Sequence, residues 1–544
     1  MYGPLAPCVQ ALLFRIFGIH LTVLYLFGLA LTIGSAILTF EIGGQFDLDL
    51  VPRLVAPLFF LSEAFYPFIF NFVFPYSYAA SLAAFLGLAC VYFVIRHARQ
   101  GRPTDLAAAA LVASFALLAK LEFGVACLGS LGFDLIVRCW IDRSFRTLKT
   151  NLLVCLGGLS PALAGYGWFT WKLSVKTIFF DNWVSTPGTY FMRTFGKRMI
   201  PAQGFRFIPS EILHSVELTA LVLAIWAAVA AANVYAIKKW KSQTRVSVMV
   251  FLLDILLAFA TIFGLRDWAS MLHPYLIEAI LPHGLYFLGV FFVLQAIWKL
   301  WRSPGLGLGL PEAVLGLYAT LVSARVMMRL SPSAYSYSVF FNVSLFLVFV
   351  ILLTRIGRFA GRELELKTRS AFVASLLGAE ALLFVPLLHP IPKVLPAPLT
   401  TEFGTFYTRP DVANLFPQII SFMKEHTRNG RDILVLPEPP SLYVFAGMQA
   451  PTQWYSLLPG VVDPNHEQVF VNQATSNDVR YVLISNRSLP EYGLTTFGLG
   501  YNQLIFQWIT ENFRKVDQFG PLPDSPPNAY VMNIFERKDL QPAR

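Results

Sequence analysis

Charge is what this chain has least of. Only 14% of its 544 residues are Asp, Glu, Lys or Arg, where a soluble domain carries about 25%. That scarcity excludes an ordinary soluble protein. Cysteine is sparse too. Its five copies (Cys8, Cys90, Cys127, Cys139, Cys155) all fall in the first third, in or beside apolar segments, at no metal-ligand spacing. This excludes a disulfide framework, a zinc site and thiol chemistry. Neither a GxGxxG nor a P-loop pattern occurs, so the usual nucleotide fingerprints are missing. The start has no positively charged n-region and no signal peptide; Met1-Tyr2-Gly3-Pro4-Leu5 runs straight into an apolar segment, 6–18.

What the chain has instead is apolar surface. Hydrophobic residues make up 56%, with 49 Phe and 11 Trp, and the mean hydropathy is +0.58. Such a composition fits lipid-facing helices with aromatic belts. The net charge of +10 does not point to nucleic acid, because the basic residues come in short clusters between apolar runs.

A membrane span needs roughly 20 mainly apolar residues. On that scale the candidates are 19–41, 51–72, 76–96, 104–119, 121–138, 150–170, 214–236, 246–265, 276–299, 311–327, 338–354 and 370–388. The two short runs on either side of Lys120 read as a broken or re-entrant hairpin. Basic clusters follow at Arg96/Arg99/Arg102, Arg138/Arg143/Arg146/Lys149, Lys238/Lys239/Lys241/Arg245, Lys299/Arg302 and Arg355/Arg358/Arg362/Lys367/Arg369. Alternating spans put all five clusters on one side, which the positive-inside rule makes cytoplasmic. Both termini then fall outside, and a further helix before Met1 would restore an inside start.

Past residue 388 the composition changes. Pro390, Pro392, Pro396 and Pro398 mark a linker over 389–408. The remainder, 409–544, reads as a small α/β domain: helix 411–426, strand 432–437, helix 467–474, strand 479–484, helix 501–513 and strand 529–535, an order that suggests a partly parallel sheet. Neither of the first two strands suggests a ligand, and the formal glycosylation sequon Asn486-Arg487-Ser488 carries no weight. The expected fold is therefore a polytopic α-helical membrane protein of about twelve spans or re-entrant helices over 1–388, with a C-terminal small α/β extracytoplasmic domain.

Ionisable residues at membrane depth are functional candidates, because burying a charge is expensive. Lys120 and Glu122 interrupt the run Leu117-Leu118-Ala119-Lys120-Leu121-Glu122-Phe123-Gly124. They read either as an ion pair capping a hairpin or as charges facing a substrate cavity. Arg325 and Arg329 lie one helical turn apart at the outer end of a span, with Tyr335 and Tyr337 close behind. Arg offers a planar fork of donors suited to phosphate oxygens, although Arg and Tyr also simply line membrane interfaces. Arg266, Asp267 and His273 share a short outer loop, as a surface ion pair or as phosphate and acceptor contacts. Asp181 is the foremost acid of the long outer loop 171–215, and His283, Asp254 and Glu278 are polar groups within spans.

Two stretches carry a family resemblance. Tyr2-Gly3-Pro4-Leu5-Ala6-Pro7 with Leu12-Leu13-Phe14-Arg15-Ile16-Phe17-Gly18, together with the Lys120 octet, resembles interior segments of the GT-C superfamily of polyprenyl-phosphate-sugar glycosyltransferases, over 2–388. The resemblance implies a membrane enzyme of the bacterial inner membrane. It would move a sugar from a polyprenyl-phosphate donor to a glycan, lipid or protein acceptor on the outer face. It implies phosphate contacts from Arg325, Arg329 and Arg266, and a substrate cavity near Tyr2, Lys120 and Glu122. It also implies a first helix and a first external loop, holding the catalytic aspartate, before the position of Met1. Many relatives place another acid where this chain reads Phe74-Pro75-Tyr76-Ser77-Tyr78, and a Lys near Gly3-Pro4; both are replaced here. A divalent metal stays open. Two other classes compete: a transporter or flippase, which predicts repeated halves not evident in the sequence, and a non-catalytic membrane scaffold whose outer domain binds a partner.

Overall fold

The computed structural model describes residues 3–65, 71–75, 77–175, 178, 194–195, 213, 216–217, 220, 235, 281–303, 309–324, 332–360, 396–521 and 529–540. They divide into a helical unit and an α/β unit.

The helical unit contains α1 (Leu5–Phe17), α2 (Leu21–Gly44), α3 (Leu50–Ala64), α4 (Tyr78–Gln100), α5 (Pro103–Ala119), α6 (Leu121–Asp142), α7 (Phe145–Leu173), α8 (Leu281–Arg302), α9 (Leu310–Ser323) and α10 (Pro332–Ala360). Four of them, α2, α4, α6 and α7, are long and apolar enough to cross a membrane. They match the expected spans at 19–41, 76–96, 121–138 and 150–170. Four is the count among the described residues; segments 246–265 and 370–388 and most of 214–236 lie outside them. The expected hairpin at Lys120 is the α5–α6 pair, with α5 only 17 residues long, roughly 25 Å.

Small residues decide which helix is central. Ala79, Ala80, Ala83, Ala84 and Ala89 of α4 are buried, and 72% of its apolar window lies inside the unit. Small side chains let helix backbones approach closely where lipid gives no hydrophobic drive between helices. At Gly87 the approach is absolute: a Cβ would sit 1.9 Å from the Tyr318 hydroxyl of α9. The opposite case is α7, buried over only 11% of its window, with Leu152, Leu153, Leu156, Leu163 and Trp168 exposed. Such a surface suits hydrocarbon rather than water. Within α7, Pro161 removes a ladder donor and displaces its neighbours. The freed groups are satisfied from side chains: the Gly157 carbonyl accepts from the Ser160 hydroxyl (2.8 Å) and the Ala162 N–H donates to Ser114 Oγ of α5 (2.7 Å). That is what an apolar solvent demands of a broken helix.

In the α/β unit, β3 (Ile433–Leu436) pairs parallel with β4 (Tyr481–Ser485). Antiparallel β6 (Met532–Arg537) and β5 (Phe513–Phe519) complete the order β3-β4-β6-β5. The strands alternate their buried side chains between two faces. Ile433, Val435, Tyr481 and Leu483 pack with Leu415, Phe416, Ile419 and Met423 of α11 (Pro410–His426). Leu434, Leu436 and Val482 pack with Phe470 and Ala474 of α13 (Glu467–Ser476) and Ile505 and Ile509 of α14 (Gln503–Asn512). The short α12 (Ser441–Ala446) follows β3. The partly parallel sheet and all six expected elements are present. Besides the short α12, two further features were not expected. One is a hairpin of β1 (Ala397–Thr401) and β2 (Gly404–Thr408), which occupies much of the stretch read as a linker. Its Leu399 is buried in the α11 face, so the domain begins before 409. The other is the edge strand β5.

Asp411 locks the start of α11. Its carboxylate accepts from Arg409 at 3.0 and 2.5 Å and from the Tyr530 N–H at 2.8 Å. Burial alone would raise this carboxyl, but Arg409 and the Tyr530 amide outweigh it and hold it below the ordinary carboxylate range. A depressed folded value means stability present above the unfolded value, about 3.9, and lost as pH falls through the folded one. We expect Asp411→Asn to destabilise the unit by about 2 kcal/mol at neutral pH and to remove part of its acid sensitivity below about pH 4. Melting curves of both proteins across pH 2–7 (an assay range of roughly the carboxylate region) check this; parallel curves would refute it.

Candidate functional site at the Lys120 turn

The α5–α6 turn is closed from three sides. A helix leaves its last carbonyls without intrahelical partners, and buried ones must find others. Here the Lys120 N–H donates to the Ala116 carbonyl (2.8 Å), the Tyr166 hydroxyl of α7 to Leu117 (2.9 Å), and the Gly3 N–H to Ala119 (3.0 Å). Gly3 fits because it has no side chain: a Cβ would lie 2.0 Å from the Leu118 carbonyl oxygen. Gly124 meets the same constraint in the first turn of α6, where a Cβ would lie 2.5 Å from Leu117 Cγ. Lys120 is extended (φ −158°, ψ 127°) between the two helices, and its side chain is fully buried. Glu122 also stands in the first turn of α6, where a negative charge is favoured by the helix dipole.

Around the turn the walls are aromatic. Lys120 Nζ lies 5.8 Å from the ring centre of Phe341 in α10, within cation–π range. Phe341 stacks on Phe123 at 5.1 Å and 13°. Its neighbour Phe340 meets Phe72, which packs edge-on against Phe60. Ser323, at the end of α9, donates to the Phe341 carbonyl at 3.1 Å. Residues 71–75 are pinned beside this cluster: the Phe72 N–H reaches the Ala64 carbonyl (3.0 Å) and the Ser81 hydroxyl the Phe72 carbonyl (3.4 Å). Phe74 stacks on Tyr25 at 4.4 Å and meets Tyr78 edge-on. The segment noted for its missing acid thus supplies rings instead. The sequence signal for this was the density of Phe and Tyr over 65–78 and Phe340-Phe341, which alone does not separate a site from a core.

The other helix ends gather the basic residues. His97 Nδ1 is 2.6 Å from Asp134 Oδ2, and Arg138 Nε is 3.3 Å from Asp134 Oδ1; the Arg138 guanidinium also donates to the His97 carbonyl. Arg96 pairs with Asp105 at 3.3 Å. Glu312 takes both Lys299 (2.9 Å) and Arg355. Arg99 reaches Asp47, and Arg358 reaches Asp49 and the Asp47 carbonyl. The α2–α3 turn and the C-terminal ends of α4, α6, α8 and α10 therefore share one end of the unit, as expected of the clusters that begin at Arg96, Arg138, Lys299 and Arg355; Lys238, Lys239, Lys241 and Arg245 lie outside the described residues. The Lys120 turn and the Phe341 cluster lie toward the opposite ends of these helices.

No protein-family model matches this chain, and no curated protein is similar to it in sequence.

Of the residues singled out in the sequence, Lys120 is brought against the aromatic cluster, and Glu122 stands two residues on, in the first turn of α6. Tyr335 and Tyr337 fall in the first turns of α10. Tyr2, Asp181, Arg266, Asp267, His273, Arg325 and Arg329 lie outside the described residues, as do Asp254 and Glu278. Among the described residues no group of His, Cys, Asp and Glu has metal-binding geometry.

Proposed function

We propose that this chain is an integral membrane glycosyltransferase of the GT-C kind, moving a sugar from a polyprenyl-phosphate-linked donor to an acceptor on the outer face of a bacterial inner membrane. The observation that supports this most is Lys120: a lysine with no exposed side-chain surface, at a helix junction walled by aromatic rings and remote from the basic end of the unit. In this reading the basic end is cytoplasmic. The remaining apolar segments complete about twelve spans, and the α/β domain is extracytoplasmic.

The chemistry requires little else of the protein. The acceptor oxygen attacks the anomeric carbon, the bond from that carbon to the phosphate oxygen breaks, and polyprenyl phosphate leaves. Positive charge must meet the leaving phosphate, a role for Lys120 supported by Arg325, Arg329 and Arg266. A carboxylate must take the acceptor's proton; Asp181 is a candidate. Aromatic walls suit both the polyprenyl chain and the apolar faces of a sugar.

The test is direct. Full chain reconstituted in liposomes is given short-chain polyprenyl-phosphate pentoses and hexoses with membrane glycan extract. Mass spectrometry follows free polyprenyl phosphate and glycosylated acceptor. Protein-dependent formation of both is the expected result. Folded protein that releases neither from any donor would sink the proposal.

A further inference from the structure

The α/β unit contains a cavity of about 620 Å³ at the carboxyl ends of β3 and β4, inside the range of roughly 300–1,000 Å³ typical of small-ligand sites. Its place is physically sensible. Open α/β sheets bind ligands beyond the carboxyl ends of parallel strands, and here the sheet changes from parallel (β3–β4) to antiparallel (β4–β6) at that edge.

Two hydroxyls are spent on nothing else. Ser485, the last residue of β4, is only 6% exposed, and its Oγ has no hydrogen-bond partner among the described residues; the Tyr530 hydroxyl is buried and equally unsatisfied. Both line the cavity. A buried hydroxyl without a partner costs stability, so a chain that keeps two at one cavity invites a ligand that completes them.

The charges on the walls narrow the class. Arg409 is engaged by Asp411, and Arg487 by Glu438. Each lining cation has its own anion, so the cavity offers no net positive charge to a phosphate. What remains is a ring of mixed donors and acceptors, Ser485, Ser488 and Tyr530 among them, with the apolar faces of Phe416 and Pro439 beside them. Asn486 does not float freely. It accepts from the Val531 N–H (3.0 Å) and donates to the Ala529 carbonyl (2.8 Å), which fixes the loop that carries Arg487 and Ser488.

We infer that this cavity is a binding site for a neutral glycan of two or three sugar units. Sugar hydroxyls both donate and accept, as the unsatisfied serine and tyrosine hydroxyls do. Planar Arg–carboxylate pairs can bridge vicinal hydroxyls, and ring faces pack on Phe416. The inference goes beyond the transferase reading and stands without it, since a glycan would be held here whether or not transfer occurs.

The experiment uses full chain in nanodiscs free of sugar-headed detergent. Maltose, cellobiose, lactose, mannobiose and chitobiose are titrated, with inorganic phosphate as a separate probe, and binding is read by saturation-transfer NMR and calorimetry. At least one disaccharide is expected to bind saturably. Ser485→Ala and Ser488→Ala are expected to weaken it about tenfold each, the loss of one good hydrogen bond. Ser485→Ala is also expected to leave the melting temperature unchanged or raised, because it removes an unsatisfied group. Binding of no disaccharide, undiminished binding by both serine variants, or binding of phosphate alone would each overturn the assignment.

Discussion

Asp134→Ala is expected to lower the unfolding free energy of the full chain by about 3 kcal/mol. A hydrogen bond between membrane helices averages only about 0.6 kcal/mol, and by that measure the loss would be small. The larger figure follows from what remains behind. Asp134 is wholly buried and holds His97 and Arg138 at once. Arg138 cannot shed its proton, its side chain is 17% exposed, and its guanidinium is further tied to the His97 carbonyl. Removing the carboxylate leaves a pinned, poorly hydrated cation. Two controls separate this from general damage. Asp47→Ala removes a carboxylate that is 80% exposed and is expected to change stability by less than about 1 kcal/mol. Asp134→Ala combined with Arg138→Met removes both charges and is expected to recover a good part of the loss, because apolar replacement of a buried pair is often tolerated. Denaturant titration in detergent reads all three. A loss under about 1 kcal/mol for Asp134→Ala would mean that Arg138 swings into solvent and that the pairing contributes little.

That network was only partly readable beforehand. The positive clusters announced that Arg96, Arg99, Arg138, Lys299 and Arg355 share one side, since the positive-inside rule acts through sequence position alone. Their partners did not announce themselves: Asp47, Asp105, Asp134 and Glu312 lie far along the chain from most of the cations they meet, and only Arg138 and Asp134 stand one turn apart. In the α/β unit, β3 and β4 were legible because strands buried on both faces read as continuous apolar runs. The edge strand β5 was not, because Arg514, Lys515 and Asp517 give it the charge by which natural edges avoid pairing. The β1–β2 hairpin was hidden by Pro398 and the prolines that precede it, since proline suits edge positions as well as linkers. The cavity at Ser485 could not be read at all: its residues come from separate segments of the chain, and no local pattern marks a hydroxyl that lacks a partner. At the Lys120 turn the sequence supplied the charge but not the rings around it, because the Phe72, Phe123 and Phe341 contacts depend on how segment 71–75, α6 and α10 meet.

Lys120→Met is expected to lower the proposed sugar transfer by about 10²–10³ while leaving the fold intact. Methionine is close to lysine in length and shape, so the turn between α5 and α6 keeps its filling, and the bonds given to the turn's carbonyls by the Gly3 N–H, the Tyr166 hydroxyl and the Lys120 N–H do not involve the lysine side chain. Burying an ammonium is expensive, and the Phe341 ring offsets about 0.5–2 kcal/mol of that cost. Replacing it by an apolar group removes the desolvation cost together with the contacts that offset it, and the melting temperature reads the balance. A transition-state charge on a departing phosphate would lose far more, because a fixed cation in a water-poor site costs no reorganisation when the bond breaks. The two readouts move independently, and that independence is what separates the alternatives. A lysine that only caps the hairpin gives a large drop in melting temperature with residual activity in proportion to folded protein. A lysine that serves the donor phosphate gives an unchanged melt and a lost reaction. Retained transfer at wild-type rate by folded Lys120→Met protein would move the charge for the leaving group elsewhere in the chain, and with it the centre of the candidate site.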